Sequence, residues 1–446
     1  MITISIKKGL DLNISGRPGS DVVQSGDPDH VSILPLRIPY IVPKLLVKEG
    51  DRVKQGSPLF YDKRDPRVSF LAPGGGRVQA IRFGERRSIQ EIRIALSPTE
   101  EKTPFPLFSE YDIDRMPRTG LVTALLEGGV WPFLRSLPFR DMVGPDETPP
   151  AIWVVLENTD PFHPSPESYL SGREALFHFG LKVLSRLTPS VRVVKGSLSS
   201  LSSPSIAERI THVFSGPYPA HDPGVMVYHT RTNPAENRSG YVTGQDLLLM
   251  AGLLKNGFFP VERLVTVAGP FSKKPETIRT RIGAPISHIV SVKEAQATVR
   301  LIQGGLFNGY PVEMDGCMGL FETALTVMGR GNQKEFFGFA RPGFNKPSYS
   351  RTFLSAFRQR PFDMDCGMHG EERACVNCGI CATVCPVDIL PQFMMKAIHG
   401  GEVEEALKHG LLDCLACGLC AYVCPSKIAL SALFKQAKTD YYKESM

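Results

Sequence analysis

The feature that most constrains this chain is a cysteine pattern that occurs twice near its C-terminal end. Eight of the ten cysteines fall in two runs with identical spacing. In each run, two residues separate the first three cysteines, three residues precede the fourth, and a proline follows directly. The two runs are Cys375, Cys378, Cys381, Cys385 and Cys414, Cys417, Cys420, Cys424.

This spacing predicts two 4Fe-4S clusters that exchange one ligand each. Three closely spaced thiolates can turn inward around one cluster, whereas the delayed fourth cysteine lies too far along the same loop and reaches the other cluster. The prolines after the runs hinder a helix from continuing through the ligand loops. We therefore expect one cluster on Cys375, Cys378, Cys381 and Cys424, and the other on Cys414, Cys417, Cys420 and Cys385.

Zinc and disulfides are the competing interpretations of so many cysteines. Four-cysteine zinc sites arrange their ligands as two separated pairs, unlike these triplets with a delayed fourth cysteine. Disulfides need an oxidising compartment, and the first ten residues contain no apolar segment typical of an export signal. Cys317 and Cys366 lie outside the runs, and we interpret them as inert buried or incidental cysteines.

Length and composition limit the remaining possibilities. A chain of 446 residues exceeds one hydrophobic core, which favours two to four domains. The longest apolar run, Leu247–Leu254, is far shorter than the ~20 residues of a membrane-spanning helix. The net charge is +6, and the basic stretch from Lys273 to Arg281 has no interleaved aromatic residues. We therefore expect no nucleic-acid partner.

Local patterns divide the chain into four regions and predict a multidomain α/β and β protein. Residues 1–97 combine short apolar strands with glycine turns and resemble the barrel-sandwich hybrid of biotinyl and lipoyl domains. Residues 98–260 alternate strand-like and helix-like segments, as in an α/β layer domain. Residues 261–345 fit a small β-grasp domain, and residues 346–446 fit a C-terminal α-helical ferredoxin domain.

Several elements can be predicted individually. Ile152–Leu156 is a continuous apolar run that predicts a buried parallel strand, and the following residues 157–161 predict a site-forming loop. Helical spacing predicts four helices: Ser171–Leu187, Asp246–Leu254 with Asp246 as N-cap, Pro391–His399, and Glu402–His409 ended by Gly410. A last helix is predicted over Lys427–Lys438, with Ser426 as its cap.

The sequence lacks the loop that usually holds a flavin or dinucleotide phosphate. No G-x-G-x-x-G occurs, and bulky residues follow the pair Gly128-Gly129. We therefore expect neither FMN nor NADH to bind this chain. No acid–base pair or nucleophile arrangement stands out, so no catalytic residue is predicted.

Short motifs spread over roughly residues 1–357 carry a family resemblance. Together they resemble the A subunit of the Na+-translocating NADH:quinone oxidoreductase family. The motifs are Lys7-Lys8-Gly9-Leu10-Asp11-Leu12 with Ile14 and Gly16, Phe214 with Gly216-Pro217, Pro219-Ala220, Ala268-Gly269-Pro270, Lys274-Pro275, and the stretch from Glu335 to Leu354.

The resemblance implies a barrel-sandwich hybrid, a Rossmann-like domain and a β-grasp domain of the soluble-ligand-binding type. It also implies a peripheral subunit on the cytoplasmic face of the bacterial inner membrane. Its partners would be the other subunits of a membrane redox complex, which would supply the membrane contact. It is also compatible with a quinone pocket, which no residue pattern locates. The cysteine-rich tail departs from that family and is similar to the C subunit of the related Rnf complex.

The expected function is therefore electron transfer through two clusters within an ion-translocating NADH:quinone reductase-type complex. Two alternatives stay open at this point. One is an Rnf-type NADH:ferredoxin oxidoreductase component, against which the missing glycine-rich loop argues. The other is an assembly or binding component whose clusters are mainly structural, because metal ligation can supply folding energy.

Overall fold

The computed structural model describes residues 1–197, 201–293, 296–331, 336–337, 340–368 and 370–445, so Glu335 and Gly338 of the family motif lie outside it. Its strands are, in chain order, β1 (Ile2–Ser5), β2 (Val22–Gln24), β3 (His30–Ile33), β4 (Pro43–Leu45), β5 (Arg52–Val53), β6 (Pro58–Asp62), β7 (Asp65–Leu71), β8 (Gly76–Phe83), β9 (Ile89–Leu96), β10 (Arg135–Ser136), β11 (Ile152–Val155), β12 (Val191–Gly196), β13 (His212–Ser215), β14 (Gly240–Thr243), β15 (Glu262–Ala268), β16 (Glu276–Arg281), β17 (Val299–Gln303), β18 (Tyr310–Val312) and β19 (Ala324–Gly329).

The α-helices are short in most of the chain. They are α1 (Glu110–Arg115), α2 (Arg118–Glu127), α3 (Pro166–Leu170), α4 (Glu174–Ser185), α5 (Pro204–Ala207), α6 (Pro223–Thr230), α7 (Gly244–Asn256), α8 (Ile286–Ile289), α9 (Ile380–Thr383), α10 (Pro391–His399), α11 (Val403–Lys408), α12 (Leu419–Tyr422) and α13 (Leu430–Ser445). Within the described ranges, no helix is both long and apolar enough to cross a lipid bilayer.

Two small antiparallel sheets form the first unit. One has the strand order β3-β9-β8-β5 and the other β4-β6-β7. Both sheets contribute to the same core, in which Phe60 and Phe70 stack at 4.7 Å between ring centroids. From the four-stranded sheet, Val78 of β8 and Ile92 and Ile94 of β9 belong to this core.

A mostly parallel six-stranded sheet forms the second unit, with the order β1-β13-β12-β11-β14-β10. The predicted buried strand is confirmed, because all residues of β11 are buried and pair in parallel with β12 and β14. The first strand of the chain also joins this sheet, next to β13. The predicted helix start at Asp246 is wrong: Thr243 caps α7 by accepting from the Asp246 amide, which lies three residues further on.

The third unit is a mixed sheet with the order β18-β17-β19-β15-β16-β2. Its strand β2 comes from the N-terminal region and pairs in parallel with β16. Residues before position 97 therefore complete the edges of two sheets built mainly from later parts of the chain. This interlacing holds the three sheet-containing units together.

Helices surround the two cysteine runs in the C-terminal region. The helix predicted over Pro391–His399 is confirmed as α10, and the predicted glycine end at Gly410 has a φ of 90°. The prediction for the last helix is wrong at both ends, because α13 begins at Leu430 and continues to Ser445. Ser426 does not cap it; its hydroxyl donates to the Ala374 carbonyl, and Lys427 has a positive φ of 58°.

One hydrophobic core connects this C-terminal region to the parallel sheet. Buried Trp153, Val194 and Phe214 of the sheet pack in the same cluster as Met394 and Phe434 of the last helices. At the end of α13, the Tyr442 hydroxyl donates to Asp141, which also binds Arg64 of the first unit. The cysteine runs are thus fixed against the body of the protein.

Candidate metal centre

The described part of the chain contains two cavities that are each lined by four of the eight repeated cysteines. Each cavity collects the triplet of one run and the delayed fourth cysteine of the other. These are the groupings that the spacing predicts. The first cavity is lined by Cys375, Cys378, Cys381 and Cys424, and the second by Cys414, Cys417, Cys420 and Cys385.

The loops that carry the triplets share one backbone geometry. Asn377 and Ala416 have φ values of 54° and 53°, and Gly379 and Gly418 have values of 74° and 87°. These left-handed residues fold the chain back so that amides point at sulfur: the Asn377 amide lies 3.4 Å from the Cys375 Sγ. The Ala416 amide makes the equivalent contact to Cys414, also at 3.4 Å. Amide donors to sulfur are one of the means by which proteins tune iron–sulfur sites.

The chemistry of the residues that line both cavities fits a multi-iron cluster. Among the described residues, no three His, Cys, Asp or Glu side chains converge closely enough to hold one metal ion. All eight cysteines are free thiols rather than disulfides. Four thiols spread around an apolar cavity suit a cluster of several irons, and apolar side chains such as Phe434 and Ile428 line the walls.

Burial favours the protonated form of three of these thiols in the absence of metal. It raises the pKa of Cys385 to about 11, and it also raises the pKa values of Cys417 and Cys420. A thiol with a raised pKa is a poor nucleophile at neutral pH. Metal binding must therefore displace the protons of Cys385, Cys417 and Cys420.

The two cavities differ in what surrounds them. Cys375 and Cys378 of the first cavity are exposed to solvent. The second cavity faces the body of the protein, where the Tyr218 hydroxyl donates to the Cys417 carbonyl at 2.8 Å. Tyr218 also stacks on Phe307, with 4.7 Å between ring centroids.

Charged residues lie behind Cys414, at the wall of the second cavity. Lys438 donates to the carbonyl oxygens of Cys414 and Pro138, each at 2.9 Å. Arg140 pairs with Asp222 at 2.6 Å. Burial lowers the pKa of Lys438 to about 8, so its ammonium form still predominates at neutral pH. The sequence analysis did not identify these residues. The available signal was that Lys438 lies four positions after Phe434, on the same face of α13.

The loop after β11, which the sequence predicts to form a site, contains the buried carboxylate of Asp160. The Asp160 carboxylate accepts from the Leu306 amide at 3.0 Å, and its second oxygen has no partner among the described residues. Burial raises the pKa of Asp160 to about 7 and lowers that of His163 to about 4. The loop thus contacts the third unit, but no cysteine run supplies a residue to this polar group.

The remaining two cysteines lie outside both cavities. Cys317 is buried with its sulfur 3.3 Å from the Ser32 hydroxyl, and burial raises its pKa to about 11. Burial also raises the pKa of Cys366. Both observations agree with their interpretation as inert cysteines.

Comparison with known proteins assigns most of the chain to one family. Family models match residues 4–97 as the NqrA N-terminal barrel-sandwich hybrid domain, residues 116–259 as the NqrA second alpha/beta domain and residues 264–313 as the NQRA C-terminal domain. A 4Fe-4S dicluster domain model matches residues 374–428.

Curated relatives agree over nearly the whole length. The A subunit of the Na(+)-translocating NADH-quinone reductase of Tolumonas auensis is 33% identical over 92% of both chains. Those of Yersinia pestis and Pasteurella multocida are 32% and 33% identical, again over 92% of each chain. The chain belongs to the NqrA family. The family resemblance and the barrel-sandwich N-terminal domain predicted from the sequence are confirmed.

Solved structures add little to this NqrA assignment. A chain of an NAD+-reducing [NiFe]-hydrogenase in the H2-reduced state is 12% identical, with 77% of this chain and 66% of that chain covered. The TM-score of 0.35 is too low for any argument. The likeness of the tail to the C subunit of the Rnf complex stays a prediction.

Proposed function

We propose that this NqrA-family chain is a peripheral electron-transfer subunit of a Na+-translocating NADH:quinone reductase-type complex. Its two 4Fe-4S clusters would each accept an electron and pass it on. The first would be held by Cys375, Cys378, Cys381 and Cys424, and the second by Cys414, Cys417, Cys420 and Cys385.

The observation that carries this proposal is the grouping of the eight cysteines in two adjacent cavities. Cys381 of the first cavity and Cys385 of the second are joined by the single turn of α9. The turn of α12 likewise leads from Cys420 of the second cavity to Cys424 of the first. Only three residues separate the two cysteines of each pair, so two bound clusters would lie side by side, which favours direct electron exchange.

The difference in exposure gives each cluster a role. Cys375 and Cys378 are exposed, so a redox partner could approach the first cluster. The second cluster would lie inside, against Tyr218 and Phe307 of the protein body. The exposed cluster is therefore the point at which we propose exchange with another subunit.

The other assignments follow from the family. The curated relatives are named as subunits of a quinone reductase, which supports other complex subunits as partners. We propose a position on the cytoplasmic face of the membrane, with membrane contact through those subunits. Quinone binding is part of the same hypothesis, whereas FMN and NADH are not expected.

The domain limits 1–97, 98–260, 261–345 and 346–446 are also proposals. The matched family regions 4–97, 116–259 and 264–313 fall inside the first three limits. The mostly parallel sheet supports a Rossmann-like second domain, and the mixed sheet supports a β-grasp third domain.

Anaerobic purification followed by iron analysis and EPR spectroscopy tests the proposal. We expect about eight irons per chain and two reducible clusters. A chain with clearly less iron after anaerobic reconstitution, or with zinc in its place, would reject it.

A mainly structural role for the clusters is the second candidate, favoured by the continuous core that joins the cysteine region to the sheet. Mixing the holoprotein with the other subunits and NADH separates the two functions. An electron carrier is reduced and reoxidised at the rate of quinone reduction, whereas clusters that only stabilise the fold stay in one oxidation state.

A further inference from the structure

A buried lysine lies directly behind the second cavity. Lys438 is 9% exposed, and its Nζ donates to the carbonyl oxygens of Pro138 and Cys414 at 2.9 Å and of Leu412 at 3.5 Å. Three acceptors around one nitrogen match the three donors of an ammonium group, which has no acceptor of its own. The geometry therefore fits a charged Lys438.

No carboxylate balances this charge in the described part of the chain. Asp222 and Asp413 act on Lys438 electrostatically, but each already pairs with an arginine. Asp222 binds Arg140 at 2.6 Å. Asp413 accepts two hydrogen bonds from Arg231, one of them at 3.1 Å. The two arginines and two aspartates cancel, so Lys438 leaves one positive charge in surplus.

An isolated buried ammonium is strongly unfavourable, so its retention calls for a nearby anion. The second cavity is where that anion would be. Cys414 lines this cavity, and so does Phe434, which lies one helical turn before Lys438 on α13. A cluster held by four thiolates is anionic overall and becomes more so on reduction, and its net charge helps set its reduction potential.

We propose that Lys438 is a positioning residue that supplies the counter-charge for the cluster on Cys414, Cys417, Cys420 and Cys385 and raises its reduction potential. This inference rests on the proposed function. It concerns the second cluster, because Lys438 donates to the carbonyl of Cys414, which lines the second cavity. The buried position of Lys438 makes its charge effective, since little solvent screens it.

The test is a redox titration of the holoprotein followed by EPR, with three variants. K438Q removes the charge and keeps a hydrogen-bond donor, and K438R keeps the charge. K435Q removes an exposed charge from the same helix as a matched control. In K438Q we expect the reduced-to-oxidised ratio of one cluster to fall about 10-fold at a fixed potential, equivalent to a shift of 59 mV for one electron.

The other cluster should titrate as in the wild type, and K438R should keep most of the wild-type potential because it keeps the charge. K435Q should change neither cluster, because exposed charges are screened. The inference would be overturned if K438Q left both reduction potentials unchanged or shifted both by the same amount. It would also be overturned if K435Q produced the same shift as K438Q.

K438Q could instead lose one cluster and half of its iron. In that case full iron in K438R would support the inference, because K438R keeps the charge. An equal loss of iron from K438R would overturn it. Absence of iron from the wild type would overturn the proposed function as well, whereas normal iron with unshifted potentials overturns only the role of Lys438.

Discussion

The two cysteine cavities have the same sequence pattern and loop geometry but very different neighbours. In the first loop Val376 is 70% exposed, whereas its counterpart Leu415 packs against Gly224 of α6. Nothing lies within 4 Å of a side chain added at Gly379, but the equivalent Gly418 lies against the Phe307 carbonyl. A repeated motif therefore sets the arrangement of ligands, and the surrounding fold decides how buried and charged each site becomes.

Loss of one ligand should give the largest difference between the two sites. We expect C378S and C414S each to lower the iron content from about eight to about four per chain. C414S should also lower the melting temperature further, because the Cys414 loop forms part of the core shared with the protein body. Iron analysis and anaerobic thermal unfolding measure both effects.

Two outcomes of that experiment would break the comparison. Complete iron loss from either variant would show that the sites assemble only together. Equal melting temperatures would show that packing against the body adds no stability to the second site.

Substitution of the equivalent glycines should give the next largest difference. G379A meets open space, so it should cost only the left-handed strain of its φ of 74°, about 1 kcal/mol. G418A has the same strain at 87° and also places its Cβ 2.6 Å from the Phe307 carbonyl oxygen, so the backbone must move. We expect it to cost more than about 2 kcal/mol in the free energy of unfolding.

Denaturant unfolding of both holoproteins under anaerobic conditions provides the measurement. If G379A were as destabilising as G418A, the strain of the loop itself would dominate, and the contact with Phe307 would contribute nothing.

Two tyrosine hydroxyls provide the smallest expected contrast. Y218F removes the bond to the Cys417 carbonyl and should cost about 1 kcal/mol, because the bond is largely shielded from water. Y349F removes an exposed 3.2 Å contact to Thr383 beside the first loop, where water can replace the partner, and should have almost no effect. The same unfolding measurement compares them; a larger loss in Y349F would contradict the assignment of the first loop as the exposed one.

Much of this arrangement could be predicted from the sequence because the patterns involved are local. The spacing of each triplet, the continuous apolar run of β11 and the helix α10 depend on residues close together in the chain. The cap of α7 was misplaced by three residues because Thr243 and Asp246 both suit that role. The start of α13 was misplaced because Ser426 instead binds the distant Ala374.

Long-range features could not be predicted in the same way. Lys438 is an ordinary helix residue until Pro138, some 300 positions earlier, is brought next to it. The pairing of β1 with β13 and of β2 with β16 joins segments that share no local signal. The environment of each cysteine cavity depends on such contacts, which explains why one repeated motif could not reveal two unlike sites.

The final helix has a consequence for how this region could be moved between proteins. Through Lys438 and Tyr442, α13 is tied to Pro138 and Asp141, and through Asp141 to Arg64 near the start of the chain. A cysteine-rich segment cut out at position 346 would leave these anchors behind and expose apolar surface that the parallel sheet now covers. Such a fragment should aggregate when produced alone, so transplanting the clusters into another scaffold would require redesign of that surface.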